Sequence, residues 1–275
     1  MKYKLGLRPP SNKPAILFRD IRKALPAHPS EVDYLRPFSD WKMLGNDNYG
    51  NCAAVMWANE RRTVTGTLAT EYYPTLEQVF AVYKSQNPGF PYQDDGMELQ
   101  ALLEYLNKTG GADGVKAVAF AKVHPQDLEE IKAAIAIFGT LCLGIAVQEA
   151  NDEQFSRGLP WDYVPNSYIA GYHAVLGGGY SPNAFRDVEF ITWARQTAFT
   201  DAFWLNLVFE AWAVIFPENL GTKQFQAGID LTKLADAYLA ITDRPLPLPT
   251  PPPIPVPPPL PDGCRTLIAR MLRLT

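Results

Sequence analysis

Apolar residues follow two different spacings along the chain, and the change of spacing divides it into two parts. In the first part they recur at the three- and four-residue intervals of an amphipathic helix. This pattern predicts helices over Ala53–Thr65, after a capping box at Thr75, over Met97–Lys108 and from Asp127 to Phe138. Later runs predict strands at Val115–Val123, Leu141–Val147, Tyr172–Gly178, Val188–Trp193 and Ala211–Phe216, with helices at Thr200–Phe209 and Leu231–Ile241. Helices followed by strands are typical of the α+β class.

The two ends of the chain interrupt this pattern. Residues 1–39 form a basic segment whose early prolines predict an extended arm rather than a helix. The arm could wrap around its own domain or dock on an acidic partner. A folded domain is predicted for residues 40–244, followed by a proline-rich spacer at 245–262 and a short amphipathic basic tail at 263–275.

Eleven prolines between Pro245 and Pro261 exclude helix and sheet there and favour polyproline II. The tail after this spacer places four apolar side chains on one helical face, Leu267, Ile268, Met271 and Leu272. Twelve or so residues are too few for a stable isolated helix. Pro245–Thr275 is therefore either a disordered tail or a tether that binds a protein partner or a second copy of the chain.

Composition excludes several classes of protein. The net charge of −4 argues against a general nucleic-acid binder, and no apolar run approaches the length of a membrane span. The N-terminus lacks the apolar core of a signal peptide, so we expect a cytoplasmic protein, or a virion protein if it is phage-encoded. Three scattered cysteines do not form a disulfide framework. No zinc-binding motif occurs, so no metal or other cofactor is expected.

One cysteine and one histidine have the spacing of a catalytic pair. Cys52 follows a turn-forming run, LGNDNYGN, and precedes a predicted helix. A helix N-terminus favours negative charge and lowers a thiol pKa, so Cys52 is expected to be partly thiolate. His173 lies far downstream on a predicted strand, which is the layout of a Cys–His nucleophilic pair. The alternative for both residues is a place in the core, as expected for Cys142.

These segments resemble the papain-like cysteine peptidases. The resemblance rests on GNDNYGNC around Cys52, on HAVLGGGYSPN from His173, and on the predicted helix that ends at Gly110-Gly111. It covers roughly residues 40–216. The GND-x-x-G-x-C pattern before and at Cys52 also resembles phage-encoded members of that superfamily. The resemblance implies a helical N-terminal half packed on a mostly antiparallel C-terminal sheet, together with a peptide or amide substrate.

The resemblance also implies roles for further residues. Asn46 takes the place of an oxyanion-hole amide, and Trp193 shields the catalytic pair. The family has an asparagine after the histidine, but here that position falls on Ile191 or, with a shift of one residue, on Thr192. We therefore expect a cysteine hydrolase with Cys52, His173 and a degenerate third member, Thr192. The alternative is an inactive papain-fold structural or binding protein, such as a virion component attached through its arms.

Overall fold

A seven-stranded antiparallel sheet forms one half of the molecule. The computed structural model describes residues 2–24, 28–182 and 188–248. The strands follow the order β2-β7-β3-β4-β5-β6, and β1 pairs with β4. Their bounds are Val32–Asp33 (β1), Ala119–Lys122 (β2), Leu141–Gln148 (β3), Ile169–Tyr180 (β4), Val188–Thr192 (β5), Arg195–Phe199 (β6) and Val208–Ile215 (β7).

Helices make up the other half of the molecule and also pack on both faces of the sheet. Three of them form the helical half, namely α2 (Cys52–Leu68), α3 (Leu76–Tyr83) and α4 (Leu99–Lys108). The remaining helices of the described residues are α1 (Phe18–Ile21), α5 (Leu128–Phe138), α6 (Glu149–Ser156), α7 (Asp201–Leu207), α8 (Lys223–Gly228) and α9 (Leu231–Thr242), with a 3₁₀ turn at Pro217–Asn219.

Helix α2 is the central element, because it lies between the helical half and the sheet. Every residue from Cys52 to Thr65 is buried. The first turns of α2, the apolar face of α4 and the facing side chains of β4 share one hydrophobic cluster. A second cluster lies on the other face of the sheet and contains α5 and the aromatic side chains of α7. The two halves therefore meet along the N-terminal part of α2.

Local signals account for most helix ends. Thr75 and Gln78 form the predicted capping box of α3, and the Asp127 side chain accepts the backbone N–H of Glu130 at the start of α5. Gly139 ends α5 at a φ of 87°, a value that glycine adopts without steric cost. These features confirm the α+β architecture read from the sequence, with boundaries that shift by a few residues.

Several predicted segments differ from the structure, and β1, β6, α1, α6 and α8 were not predicted. The strand predicted up to Trp193 ends at Thr192, because Trp193 and Ala194 have φ values of 42° and 60° and form the turn to β6. Glu210 belongs to β7, which begins earlier than predicted. The spacer and tail from residue 249 onward lie outside the described residues, as does Cys264. Within the described part of the chain, none of the helices combines the length and the hydrophobicity that a bilayer crossing requires.

Candidate active site

A tight turn places Cys52 at the N-terminus of α2. Leu44 and Gly45 have positive φ values, and the Asn51 side chain holds the turn closed by donating to the Leu44 carbonyl at 2.9 Å. The backbone then enters the helix, and Cys52 is its first residue. The Cys52 side chain is 1% exposed, so its sulfur lies inside the molecule at the junction of the two halves.

His173 reaches the same junction from the sheet. It lies in the middle of β4, opposite Ile145 of β3, and is buried. Its Nε2 atom lies 2.8 Å from the hydroxyl oxygen of Thr192, at the end of β5. Its Nδ1 atom is buried and has no hydrogen-bond partner among the described residues. The Trp193 ring covers the imidazole, with ring centroids 4.8 Å apart.

The packing of α2 on β4 brings Cys52 to the strand that carries His173. The backbone of Ala174, the neighbour of His173, forms a hydrogen bond that favours the Cys52 thiolate, as do the backbones of Ala53 and Gly6. No hydrogen bond joins Nδ1 to the thiol itself. The structure therefore places Thr192 and Trp193 against the His173 ring, and Cys52 beside the backbone of Ala174.

Burial controls the charge of this pair. It raises the pKa of Cys52 to about 11, against which the backbone hydrogen bonds act only weakly. It lowers the pKa of His173 to about 3. Both groups are therefore neutral near pH 7. The expectation of a partly ionised thiol is wrong for this arrangement, because the loss of water outweighs the helix N-terminus.

Residues 3–8 contribute to the burial of Cys52, since they run through the cleft between the two halves. Gly6 packs so tightly on Gly50 that an added Cβ would overlap the Gly50 backbone. The Gly6 carbonyl accepts the N–H of Met97 at 2.8 Å, and the N–H of Leu7 donates to the Tyr172 carbonyl at 3.1 Å. The arm thus bridges the helical half and the sheet directly over Cys52.

Alternate side chains of the arm face opposite walls of the cleft. Tyr3 stacks on Trp193 with a centroid distance of 4.7 Å, and Leu5 packs on Gly171 of the sheet. On the other side Lys4 forms an ion pair with Asp94 in the helical half. Burial alone would raise the pKa of Asp94, but hydrogen bonds from Lys4, the Tyr83 hydroxyl and a backbone N–H lower it overall. The carboxylate is therefore a charged anchor for the arm.

Asn46 lies in the turn before Cys52 and is buried. Its side-chain amide donates to the Tyr49 carbonyl at 3.3 Å, a bond within the turn. The structure therefore places this residue in the predicted region, and its role as an oxyanion donor stays a prediction. Cys142 is a buried residue of β3 whose thiol donates to Glu60 at 3.5 Å, as expected for a core cysteine.

Sequence reasoning missed the arm, Asp94 and Glu210 as residues of this region. The arm carried a usable signal, because KYKLGLR alternates polar and apolar residues from Lys2 to Arg8, with Gly6 among the polar positions. Such alternation is typical of an extended segment with two different faces. Glu210 carried no comparable signal, since a single acid inside an apolar run says nothing about its neighbours.

Comparisons with solved structures find the same overall fold in cysteine proteases. Xylellain, a cysteine protease from Xylella fastidiosa, superposes with a TM-score of 0.60 at 17% identity over 78% of this chain and 96% of that protein. Procathepsin B from Trypanosoma congolense gives 0.57 at 10% identity over 77% and 86% of the two chains. The proform of the ragweed pollen cysteine protease Amb a 11 gives 0.52 at 16% identity over 70% and 66%.

Sequence comparison adds no relative. No protein-family model and no curated protein sequence matches the chain. The identities to the solved structures are too low to carry a function, but the shared architecture extends over most of the chain. The protein therefore has the papain-like fold.

Proposed function

We propose that the protein is a cysteine hydrolase that cleaves a peptide or amide bond, with Cys52 as nucleophile and His173 as general base. The observation that carries the proposal is the placement of the His173 ring. Thr192 engages Nε2, while Nδ1 has no hydrogen-bond partner among the residues that the structure describes. When the Thr192 hydroxyl accepts a hydrogen bond from Nε2–H, the imidazole is in the tautomer in which Nδ1 carries the lone pair.

The reaction follows from that tautomer. Nδ1 removes the proton of the Cys52 thiol, and the sulfur attacks the carbonyl carbon of the substrate. His173 then gives the proton to the leaving amine, which departs as the thioester forms. Water, deprotonated by the same imidazole, hydrolyses the thioester and regenerates the thiol. The Cys52 backbone N–H at the helix start, with Asn46 as a second donor, would stabilise the oxyanion.

A substrate has to replace the arm before it can react. The arm fills the space over the sulfur and uses backbone groups of Met97 and Tyr172 that an extended peptide would need. We therefore propose a latent site, which opens when residues 3–8 leave the cleft. Thr192 takes the place of an amide in orienting the imidazole, and Trp193 excludes water from the ring.

A second candidate is an inactive papain-fold structural or binding protein, for instance in a virion. The observation that favours it is the neutral state of the pair, with the Cys52 pKa near 11 and the His173 pKa near 3. In this reading the arm is a permanent part of the fold, and the proline-rich segment attaches the domain to a partner.

Hydrolysis by an opened form separates the two candidates. The test compares full-length wild type, Gly6→Ala, and Gly6→Ala combined with Cys52→Ser or with His173→Ala, using a fluorogenic peptide library. Activity in Gly6→Ala that is lost in both double variants supports the hydrolase. The matched control is Gly6→Ala with Cys142→Ala, which should remain active. If the opened form alkylates rapidly at Cys52 but hydrolyses no peptide, the binding protein is the better assignment.

A further inference from the structure

A groove lies at the edge of the sheet, between α4 and α9, and it shares no lining residue with the cleft that contains Cys52. Phe120 of the edge strand β2 lines it, together with residues 14–16 of the arm. The cavity has a volume of about 270 Å³. A cavity of about 150 Å³ already holds a benzene ring, so this one, the α4–α9 groove, has room for a small organic molecule.

The interior of the α4–α9 groove is mainly apolar, and its own polar groups hold it in shape. Ile16 and Tyr238 line it and are 6% and 7% exposed. The Tyr238 hydroxyl donates to Oδ1 of Asn107 at 2.9 Å and so joins α9 to α4. The Asn107 amide nitrogen in turn donates to the Ala117 carbonyl at 2.8 Å. Because these groups satisfy one another, the groove is formed before a ligand binds and presents apolar surface to it.

The charged residues of the groove leave an excess of positive charge. Glu104, Lys108 and Arg244 line it, and Glu104 is paired with Lys13 at 2.9 Å. Lys108 and Arg244 are exposed and form no ion pair within the described part of the chain. The groove therefore favours an anionic occupant. The chain's own tail at residues 263–275 fits it poorly, because that tail contains three arginines and no acidic residue.

We propose that the α4–α9 groove binds a medium-chain carboxylate, that is, an apolar chain of about eight carbon atoms with an anionic end. At the roughly 30 Å³ that a water molecule occupies in the liquid, the groove holds about nine non-hydrogen atoms, which is close to the size of octanoate. The chain packs against Phe120 and Tyr238, and the carboxylate binds to Lys108 and Arg244. The groove is thus a second binding site, independent of Cys52 and of the proposed hydrolysis.

Titration of the full-length protein with octanoate tests this site. We expect one octanoate per chain with a Kd of about 1 mM or below, as a ligand of this size allows. Exposed ion pairs are individually weak, so Lys108→Gln combined with Arg244→Gln should weaken binding about five- to tenfold. The matched control is Lys223→Gln combined with Lys233→Gln, which removes two charges from α8 and α9 outside the groove and should leave the Kd unchanged. Ile241 lines the groove and is 43% exposed, so Ile241→Trp should fill the groove and abolish binding.

Two further measurements separate the charge from the apolar contacts. 1-Octanol cannot form the ion pairs, so it should bind about five- to tenfold more weakly than octanoate and equally well to wild type and to the groove double variant. Lys108→Arg combined with Arg244→Lys keeps both charges and should retain the octanoate Kd within about threefold, and thermal unfolding verifies that each variant is folded.

Three results would overturn the proposal. They are the absence of saturable octanoate binding, a Kd of the folded groove double variant within about twofold of wild type, and an equal loss of affinity in the control pair. A Kd that rises with protein concentration would overturn it as well, because a segment of a second copy would then occupy the groove.

Discussion

Displacement of the arm should activate the Cys52 thiol, and Gly6→Ala is the smallest change that achieves it. A Cβ at Gly6 would overlap the carbonyl oxygen and Cα of Gly50. These are backbone atoms of the turn that positions Cys52, so they cannot move aside as a flexible side chain would. The arm has to leave instead, and water then reaches the sulfur.

The magnitude follows from the thiol pKa. Burial raises this pKa from 9.0 to about 11. Two pKa units reduce the thiolate fraction near pH 7.5 about 100-fold, and the thiolate is the form that alkylates. The Gly6→Ala protein should therefore react with iodoacetamide at Cys52 at least about 100-fold faster than wild type, since better access adds to the gain in thiolate.

The assay is site-resolved mass spectrometry of full-length protein during alkylation, which separates Cys52 from Cys142 and Cys264. Gly221→Ala is the matched control, because an added Cβ there meets nothing within 4 Å. Its Cys52 should react at the wild-type rate. Thermal unfolding verifies that both variants are folded. A folded Gly6→Ala protein whose Cys52 reacts within threefold of wild type would refute the reasoning that the arm closes the site.

Three further predictions concern other parts of the chain. Thr192→Val removes the partner of His173 Nε2 and should reduce hydrolysis by the opened form roughly 10- to 100-fold; an unchanged rate would exclude an orienting role. Burial raises the pKa of Glu60 from 4.5 to about 7, so its contribution to stability is present below pH 4.5 and is lost as the pH rises through 7. Glu60→Gln should therefore stabilise the fold by up to about 3 kcal/mol at pH 8 and by little at pH 4.5 in urea unfolding, and equal effects at both pH values would contradict this. Truncation after Leu248 should leave the melting temperature nearly unchanged and abolish association in light scattering; a large loss of thermal stability would mean that the tail packs on its own domain.

The sequence was most informative where a segment has one buried face. The helix predicted over Met97–Lys108 is observed as Leu99–Lys108, because four leucines at helical spacing need the core on one side. It was least informative for α6, Glu149–Ser156, whose buried residues are one asparagine and one phenylalanine. Polar capping interactions hold that short helix, and they leave no periodic pattern.

The choice between Ile191 and Thr192 could not be made from the sequence for a geometric reason. Adjacent residues of a strand point to opposite faces, so a shift of one residue exchanges the two candidates completely. In the structure Ile191 packs in the cluster that contains α2, whereas the Thr192 hydroxyl lies against His173. The pairing of β5 with β4, in which Ile191 lies opposite Leu176, determines this register, and the residues around Ile191 and Thr192 do not encode it.

The opposite pKa shifts of the pair make closure of the site depend on pH. His173 has a pKa lowered from 6.5 to about 3, so the closed state has its full stability above pH 6.5 and loses it as the pH falls toward 3. At pH 5 the loss approaches about 2 kcal/mol, from 1.4 kcal/mol for each pH unit below 6.5. The raised pKa of Cys52 has the opposite sign, and its contribution is lost above pH 9. Closure is therefore most stable between these limits, and acid favours release of the arm because the imidazole can then bind a proton in water. In the alkylation assay, the wild-type rate corrected for thiolate fraction should consequently rise as the pH falls below 6.5, while the rate of Gly6→Ala should not.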